Sequence, residues 1–331
     1  MLAPLLAACL LLAPHAGAAP IINGTETNEI EAVGAIGVTS GGYIYGPFCS
    51  GTLIHAKWVV TAAHCVEAFD DYEQHLGSSA AGVFLVGGDI AGGDITTYGT
   101  VIDAFTHPSY SPSRMEYDIG LLELGGYGIT SIEIMPVNKD IVGNSWIDQE
   151  LRYVGYGVTD RYGGYQGSGT KRYADIPVWQ YDRTYIYGYD PDDGQNVCSG
   201  DSGGAALEMV GEDQYEIAAV NSTVFAPYGG ESCRDGATAG IRVDYYMDWI
   251  EDYVTVVTAA EYYTDDPDDP DDPDDPDDPD DTAWTDMPKL PTDDAVDGWK
   301  GGCSTSPVRG GLGLLALITG MLALVARRPR G

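Results

Sequence analysis

The residues best placed to do chemistry are the seven from Cys198 to Gly204, Cys-Ser-Gly-Asp-Ser-Gly-Gly. Glycines around Ser202 keep the backbone low and permissive, so a bulky substrate can approach the hydroxyl. Backbone N–H groups in such a loop can converge on one spot, and those of Gly200 and Ser202 are candidate donors to a developing oxyanion. A serine hydroxyl is a weak nucleophile and needs a base that a third group orients. Thr61-Ala62-Ala63-His64-Cys65 offers the base. Asp118-Ile119-Gly120-Leu121-Leu122-Glu123-Leu124 offers a carboxylate at the mouth of an apolar run. Together His64, Asp118 and Ser202 fit acyl transfer, with Ser202 attacking, His64 moving the proton and Asp118 fixing the imidazole.

Four motifs stand in a telling order: Ile21-Ile22-Asn23-Gly24, TAAHC, DIGLLEL and GDSGG. On these, residues 21 to about 255 resemble a trypsin/chymotrypsin-family serine endopeptidase. The order His, Asp, Ser separates this pattern from α/β-hydrolases, whose order is Ser, Asp, His. The resemblance implies two six-stranded antiparallel Greek-key β-barrels with a C-terminal helix and the active site between them. It implies the disulfides Cys49–Cys65 and Cys198–Cys233; without it, the four cysteines permit three pairings. It implies that a freed Ile21 amine pairs with Asp201 and thereby shapes the oxyanion hole. Trypsin-like activators cut after Lys or Arg, yet Pro20 precedes Ile21. A dipeptidyl or post-proline peptidase is therefore the expected activator. The resemblance implies that Asn196 is the floor of the primary pocket, where trypsin-like enzymes have Asp. Ser222 and Thr238 are the expected walls, with Thr238 narrowing the pocket. Small or medium uncharged side chains are the expected substrates' feature. A second reading, an inactive homologue serving as a surface binding or adhesion module, draws on Pro20 and is opposed by the intact motifs. The same triad also fits an esterase, which fold-level analogy does not separate from a peptidase.

The elements that must position these residues read as all-β. Short apolar stretches recur at strand spacing with glycine turns between them. Val33–Val38, Phe48–Ile54, Trp58–Thr61, Val83–Gly87, Thr100–Phe105 and Ile119–Leu124 are the strands of a first barrel. Ile147–Gly155, Lys171–Gln180, Gly204–Leu207, Tyr215–Asn221 and Ala237–Val243 belong to a second. Tyr246, Trp249, Ile250 and Tyr253 have near-helical spacing, which predicts a closing helix over Asp244–Thr255.

Composition and ends complete the reading. With 16 basic and 51 acidic residues the net charge is −35. About a third of it lies in the Asp-Asp-Pro repeat from Asp265 to Asp281. So acidic a surface repels phosphate and excludes nucleic acid as a partner. The repeat cannot bury a core and is expected to be an extended, disordered spacer without a dedicated calcium loop. Residues 1–18 read as a secretory signal, with an apolar Leu5–Ala13 core and Ala16-Gly17-Ala18 at the cut, though the n-region lacks Lys and Arg. The expected parts are signal 1–18, pro-dipeptide 19–20, protease domain 21–258, acidic linker 259–300 and anchor 301–331. The tail joins Gly301-Gly302-Cys303-Ser304-Thr305 to an apolar Leu312–Ala326 and then Arg327-Arg328. It resembles the bacterial MYXO-CTERM surface-sorting tag, which implies processing or lipid attachment at Cys303; a plain tail anchor is the alternative. Export makes disulfides expected. No CxxC or HxxxH spacing appears, so neither a metal nor another cofactor is expected. The expected whole is a monomer acting on protein or peptide substrates, tethered to the outer envelope through the membrane segment.

Overall fold

A computed structural model describes residues 21–77, 79–159, 167–230, 232–234 and 236–263. The signal, the Asp-Asp-Pro linker, the tail and Cys303 lie outside the described residues. A two-residue strand β1 (Thr25–Glu26) leads into the first barrel. That barrel is β2 (Val33–Ser40), β3 (Tyr43–His55), β4 (Trp58–Thr61), β5 (Ala81–Val86), β6 (Thr97–Thr106) and β7 (Gly120–Leu124), closed in the order β2-β3-β4-β7-β6-β5. Gly41 and Gly42, at φ 60° and 83°, make the β2–β3 turn. The second barrel is β8 (Glu150–Gly155), β9 (Arg172–Tyr181), β10 (Tyr185–Gly188), β11 (Ala205–Gly211), β12 (Gln214–Phe225) and β13 (Ala237–Arg242). It closes because β8 pairs with both β9 and β11, while β1 adds to the outer edge of β9. Every pairing between strands of these barrels is antiparallel.

Closure is what lets such short strands stand, since a barrel leaves no unpaired edge. Each barrel fills its own interior. Ile36, Leu53, Phe84, Leu121 and Leu122 pack in the first; Leu151, Tyr153, Ile176 and Ile186 pack in the second. Tyr156 ties the two together, its hydroxyl donating to Gly87 O at 2.7 Å with Val33 O also near at 3.2 Å.

One element goes beyond the sequence reading and one expectation needs correction. A helix of 14 residues, α1 (Ala63–Leu76), follows β4, in a stretch to which the sequence reading assigns no element. Val66 and Phe69 turn inward on it, and Gly82 lies so close to the Phe69 ring that a Cβ there would sit 1.9 Å from it. Ala63 and Cys65 are buried as well, and Tyr72 and Leu76 pack against the core, while Glu67, Asp70, Asp71, Gln74 and His75 are exposed. The closing helix is also shorter than its pattern. A 3-10 turn at Asp244–Tyr246 runs into α2 (Met247–Glu251), which stops there. The chain then docks a separate turn, α3 (Ala259–Tyr262), capped by Thr258 and Glu261. Tyr185–Gly188, the sixth strand of the second barrel, carries no alternation long enough to read from sequence.

Candidate functional site

The Ser202 loop is bounded by the Cys198–Cys233 disulfide and the start of β11. Gly200 has φ +97° and Gly203 φ +81°. A Cβ on Gly203 would lie 2.1 Å from Thr61 Oγ1 and 2.3 Å from Ser50 O, so only glycine fits. Hydrogen bonds fix the carbonyls on both sides. Ser50 N donates to Ser202 O at 2.8 Å, and Ser50 Oγ donates to Gly200 O at 2.9 Å. Val158 N donates to Ser199 O at 2.8 Å. With these carbonyls turned away, the N–H groups of Gly200 and Ser202 have no acceptor among the described residues. They are free to take one oxygen from outside.

His64 is the second residue of α1 and Asp118 stands just before β7. The Cys49–Cys65 disulfide staples the start of α1 to β3. Asp118 is fully buried. Its Oδ1 accepts from His64 N at 2.9 Å, and its Oδ2 faces His64 Nδ1 at 2.8 Å. Ser222 Oγ donates to the same Oδ2 at 2.6 Å. A carboxylate only accepts, so the imidazole proton is on Nδ1 and Nε2 keeps its lone pair. The imidazole is 23 % exposed. Cys65 Sγ, one residue beyond His64, lies 3.4 Å from Ser202 O, which sets the Ser202 backbone against the His64 segment. The arrangement orients the His64 imidazole through Asp118 and leaves the Gly200 and Ser202 N–H groups without acceptors among the described residues. Cys49, His64 and Cys65 also gather their ligand atoms within 4.8 Å, but both sulfurs are spent in the disulfide.

Asp201 points the other way, into the second barrel. It is fully buried, accepting from Gly157 N at 2.8 Å and Cys198 N at 2.9 Å. Among the described residues no cation lies within ion-pair distance of it. Burial pushes its carboxyl up to about 7 despite those two bonds and the Arg172 charge. The Ile21 side chain is fully buried in the same barrel's core, and Ile22 forms an isolated antiparallel bridge with Asn196.

A pocket of about 140 Å³ opens beside Ser202, lined by neutral residues of the 197–202 and 221–224 segments. Ser222 lines it. Asn196 and Thr238 are not among its lining residues; Asn196 precedes Val197, and Thr238 pairs with Val224 on the neighbouring strand. Both ends of the Asn196 amide are engaged, Nδ2 donating to Ser232 O at 2.9 Å and Oδ1 accepting from Val197 N at 3.0 Å. Thr238 is fully buried, and its hydroxyl has no partner among the described residues. Sequence reasoning missed Ser50, which holds the Ser202 loop, and the bond to Asp118 from Ser222, a residue expected only as a pocket wall. A single serine gives no signal of such a distant bond.

Comparison with known proteins places this architecture in context. The Trypsin family model matches residues 21–250. The chain is similar to a trypsin of Phaedon cochleariae, 29 % identical over 228 residues, covering 62 % of this chain and 78 % of that protein. A trypsin of Simulium vittatum is 27 % identical over 215 residues, covering 58 % and 79 %. A tryptase of Mus musculus is 27 % identical over 255 residues, covering 71 % and 88 %.

Proposed function

We infer the function of this chain from one premise: it belongs to the trypsin family of serine proteases. On that basis it is a serine endopeptidase that cleaves protein or peptide substrates through an acyl-enzyme. The observation that carries the reading is the buried Asp118, which accepts from both His64 nitrogens on its near side and leaves Nε2 free. His64 takes the Ser202 proton as Oγ attacks the carbonyl carbon, giving a tetrahedral oxyanion. The N–H groups of Gly200 and Ser202 receive that oxyanion. His64 returns the proton to the departing amine; water then enters by the same route and releases the acid. Strand β12 pairs with β11 only as far as Val220, and β13 covers its other edge. Residues 222–225 therefore keep one open edge, on which an extended substrate can lie as an added strand. The neutral lining of the pocket favours small or medium uncharged side chains, and a cleavage profile dominated by Arg overturns that preference.

Ile21 becomes the mature N-terminus once a dipeptidyl or post-proline peptidase removes residues 19–20, and its ammonium then neutralises Asp201. Residues 1–18 direct export, and 301–331 tether a monomeric enzyme to the outer envelope through the acidic linker, with Cys303 as the processing point. A fluorophosphonate probe tests the central reading. Labelling confined to Ser202, lost in Ser202→Ala, supports it. A chain with a mature Ile21 end that takes no label is a binding module instead.

A further inference from the structure

The loop between β6 and β7 delivers Asp118, and it does so in an unusual backbone. Met115 and Tyr117, three residues and one residue before Asp118, have φ 55° and 56°, the left-handed region that side chains disfavour. The loop's own bonds lie outward: Ser111 N donates to Glu116 O at 3.0 Å, and the exposed Arg114 pairs with Glu116. Three contacts hold it inward, one of them the edge of Tyr117 against Tyr246 with ring centroids 5.9 Å apart. Tyr117 stacks on His107 with ring centroids 5.0 Å apart. The Met115 carbonyl accepts from the Tyr185 hydroxyl. Tyr185 belongs to β10 of the other barrel, where it pairs with Ile241 of β13. This bond therefore crosses between barrels and lands on the loop that sets Asp118.

We propose that Tyr185 is a positioning residue for the Asp118–His64 pair, fastening the left-handed Met115 corner so that the Asp118 carboxylate stays aimed at Nδ1. The proposal deepens the peptidase reading and rests on it for its kinetic consequence. The hydroxyl lies beside Ser222 and feels the Asp118 charge; burial and that charge push the phenol up to about 12, so it remains a donor in neutral solution. Ser222 Oγ gives its proton to Asp118 Oδ2. The Tyr185 hydroxyl meets Met115 O and also Ser222. No contact between Tyr185 and the Asp118 carboxylate is among the hydrogen bonds of the described residues, so Tyr185 acts on Asp118 through the loop and through Ser222. Small displacements of an orienting group cost rate out of proportion to their size, so a residue that only anchors the loop still matters.

The test uses the full chain with Tyr185→Phe, which keeps the ring and removes only the hydroxyl. Tyr187→Phe is the control: that hydroxyl donates to Asp182 Oδ2 at 2.8 Å and not to the loop. The first readout is the low-field proton resonance of His64 Nδ1–H in the His64–Asp118 hydrogen bond, which needs no turnover. It broadens through faster exchange in Tyr185→Phe and stays sharp in Tyr187→Phe. The second is kinetic: kcat falls roughly tenfold with KM little changed. An unchanged resonance in Tyr185→Phe overturns the proposal, as does equal broadening in both variants. A rate loss explained by less folded protein, with the resonance intact, overturns it too. If the resonance responds as stated but the wild-type chain cleaves no peptide, the positioning role stands and the peptidase reading falls.

Discussion

Replacing Asp118 by Asn tests the proton placement on which the chemistry depends. Asn is nearly isosteric, so the buried site stays filled, but one oxygen becomes an NH2 donor. The backbone N–H of His64, 2.9 Å from Oδ1, is a fixed donor and claims the remaining oxygen. The NH2 must then occupy the Oδ2 place, 2.8 Å from His64 Nδ1 and 2.6 Å from Ser222 Oγ. A donor facing Nδ1 forces that nitrogen to accept, so the imidazole proton moves to Nε2. The base then presents a proton where Ser202 needs a lone pair. In the best-studied triad of this type the same change lowers kcat about 10⁴-fold, and the same orienting bond from Asp118 to Nδ1 predicts a similar loss here. That corresponds to about 5 kcal/mol at the transition state. The assay is kcat/KM on a chromogenic peptide with a small uncharged residue at the cleavage point, alongside the rate of fluorophosphonate labelling. Unfolding in urea confirms that the variant is folded. A folded Asp118→Asn enzyme within about tenfold of wild type refutes the tautomer argument.

Other outcomes follow from the same coordinates. Converting Cys49 and Cys65 to Ala opens a 16-residue separation and lowers stability by about 3 kcal/mol in chemical denaturation, since the cross-link restricts the unfolded chain. Activity falls with it, because the bond staples the helix that begins beside His64. Gly82→Ala puts a methyl against the Phe69 ring and destabilises by about 1–3 kcal/mol; an unchanged denaturation midpoint argues against the packing of α1 on β5. In the chain still joined at Pro20–Ile21, Asp201 has a folded pKa of about 7 against an ordinary 3.8. The folded state then binds more protons than the unfolded one between those values, so stability falls as pH rises from about 4 to about 7. Denaturation midpoints across that range fall in wild type and are flatter in Asp201→Asn. A wild-type profile no steeper than the variant's counts against a buried, unpaired Asp201.

Much of this protein was legible in its residues because local chemistry and local geometry coincide there. The nucleophile loop needs glycine at Gly200 and Gly203 for backbone reasons alone, and short apolar runs between glycine turns already demand closed sheets. His64, Asp118 and Ser202 announce themselves because each sits in a motif whose neighbours constrain it. The helix α1 stayed hidden because its burial depends on Gly82 from a distant strand. The strand at Tyr185–Gly188 is too short to show a period. The order of residues alone also cannot tell which donors meet a given carboxylate. Ser222 lies 104 positions from Asp118 and reaches it only because the second barrel closes against the first. Ser50 likewise becomes the clamp of the Ser202 loop across 150 positions. Such contacts have no local signature: they arise from the relative placement of two independently closed barrels, and their worth lies in bonds that neither barrel could make by itself.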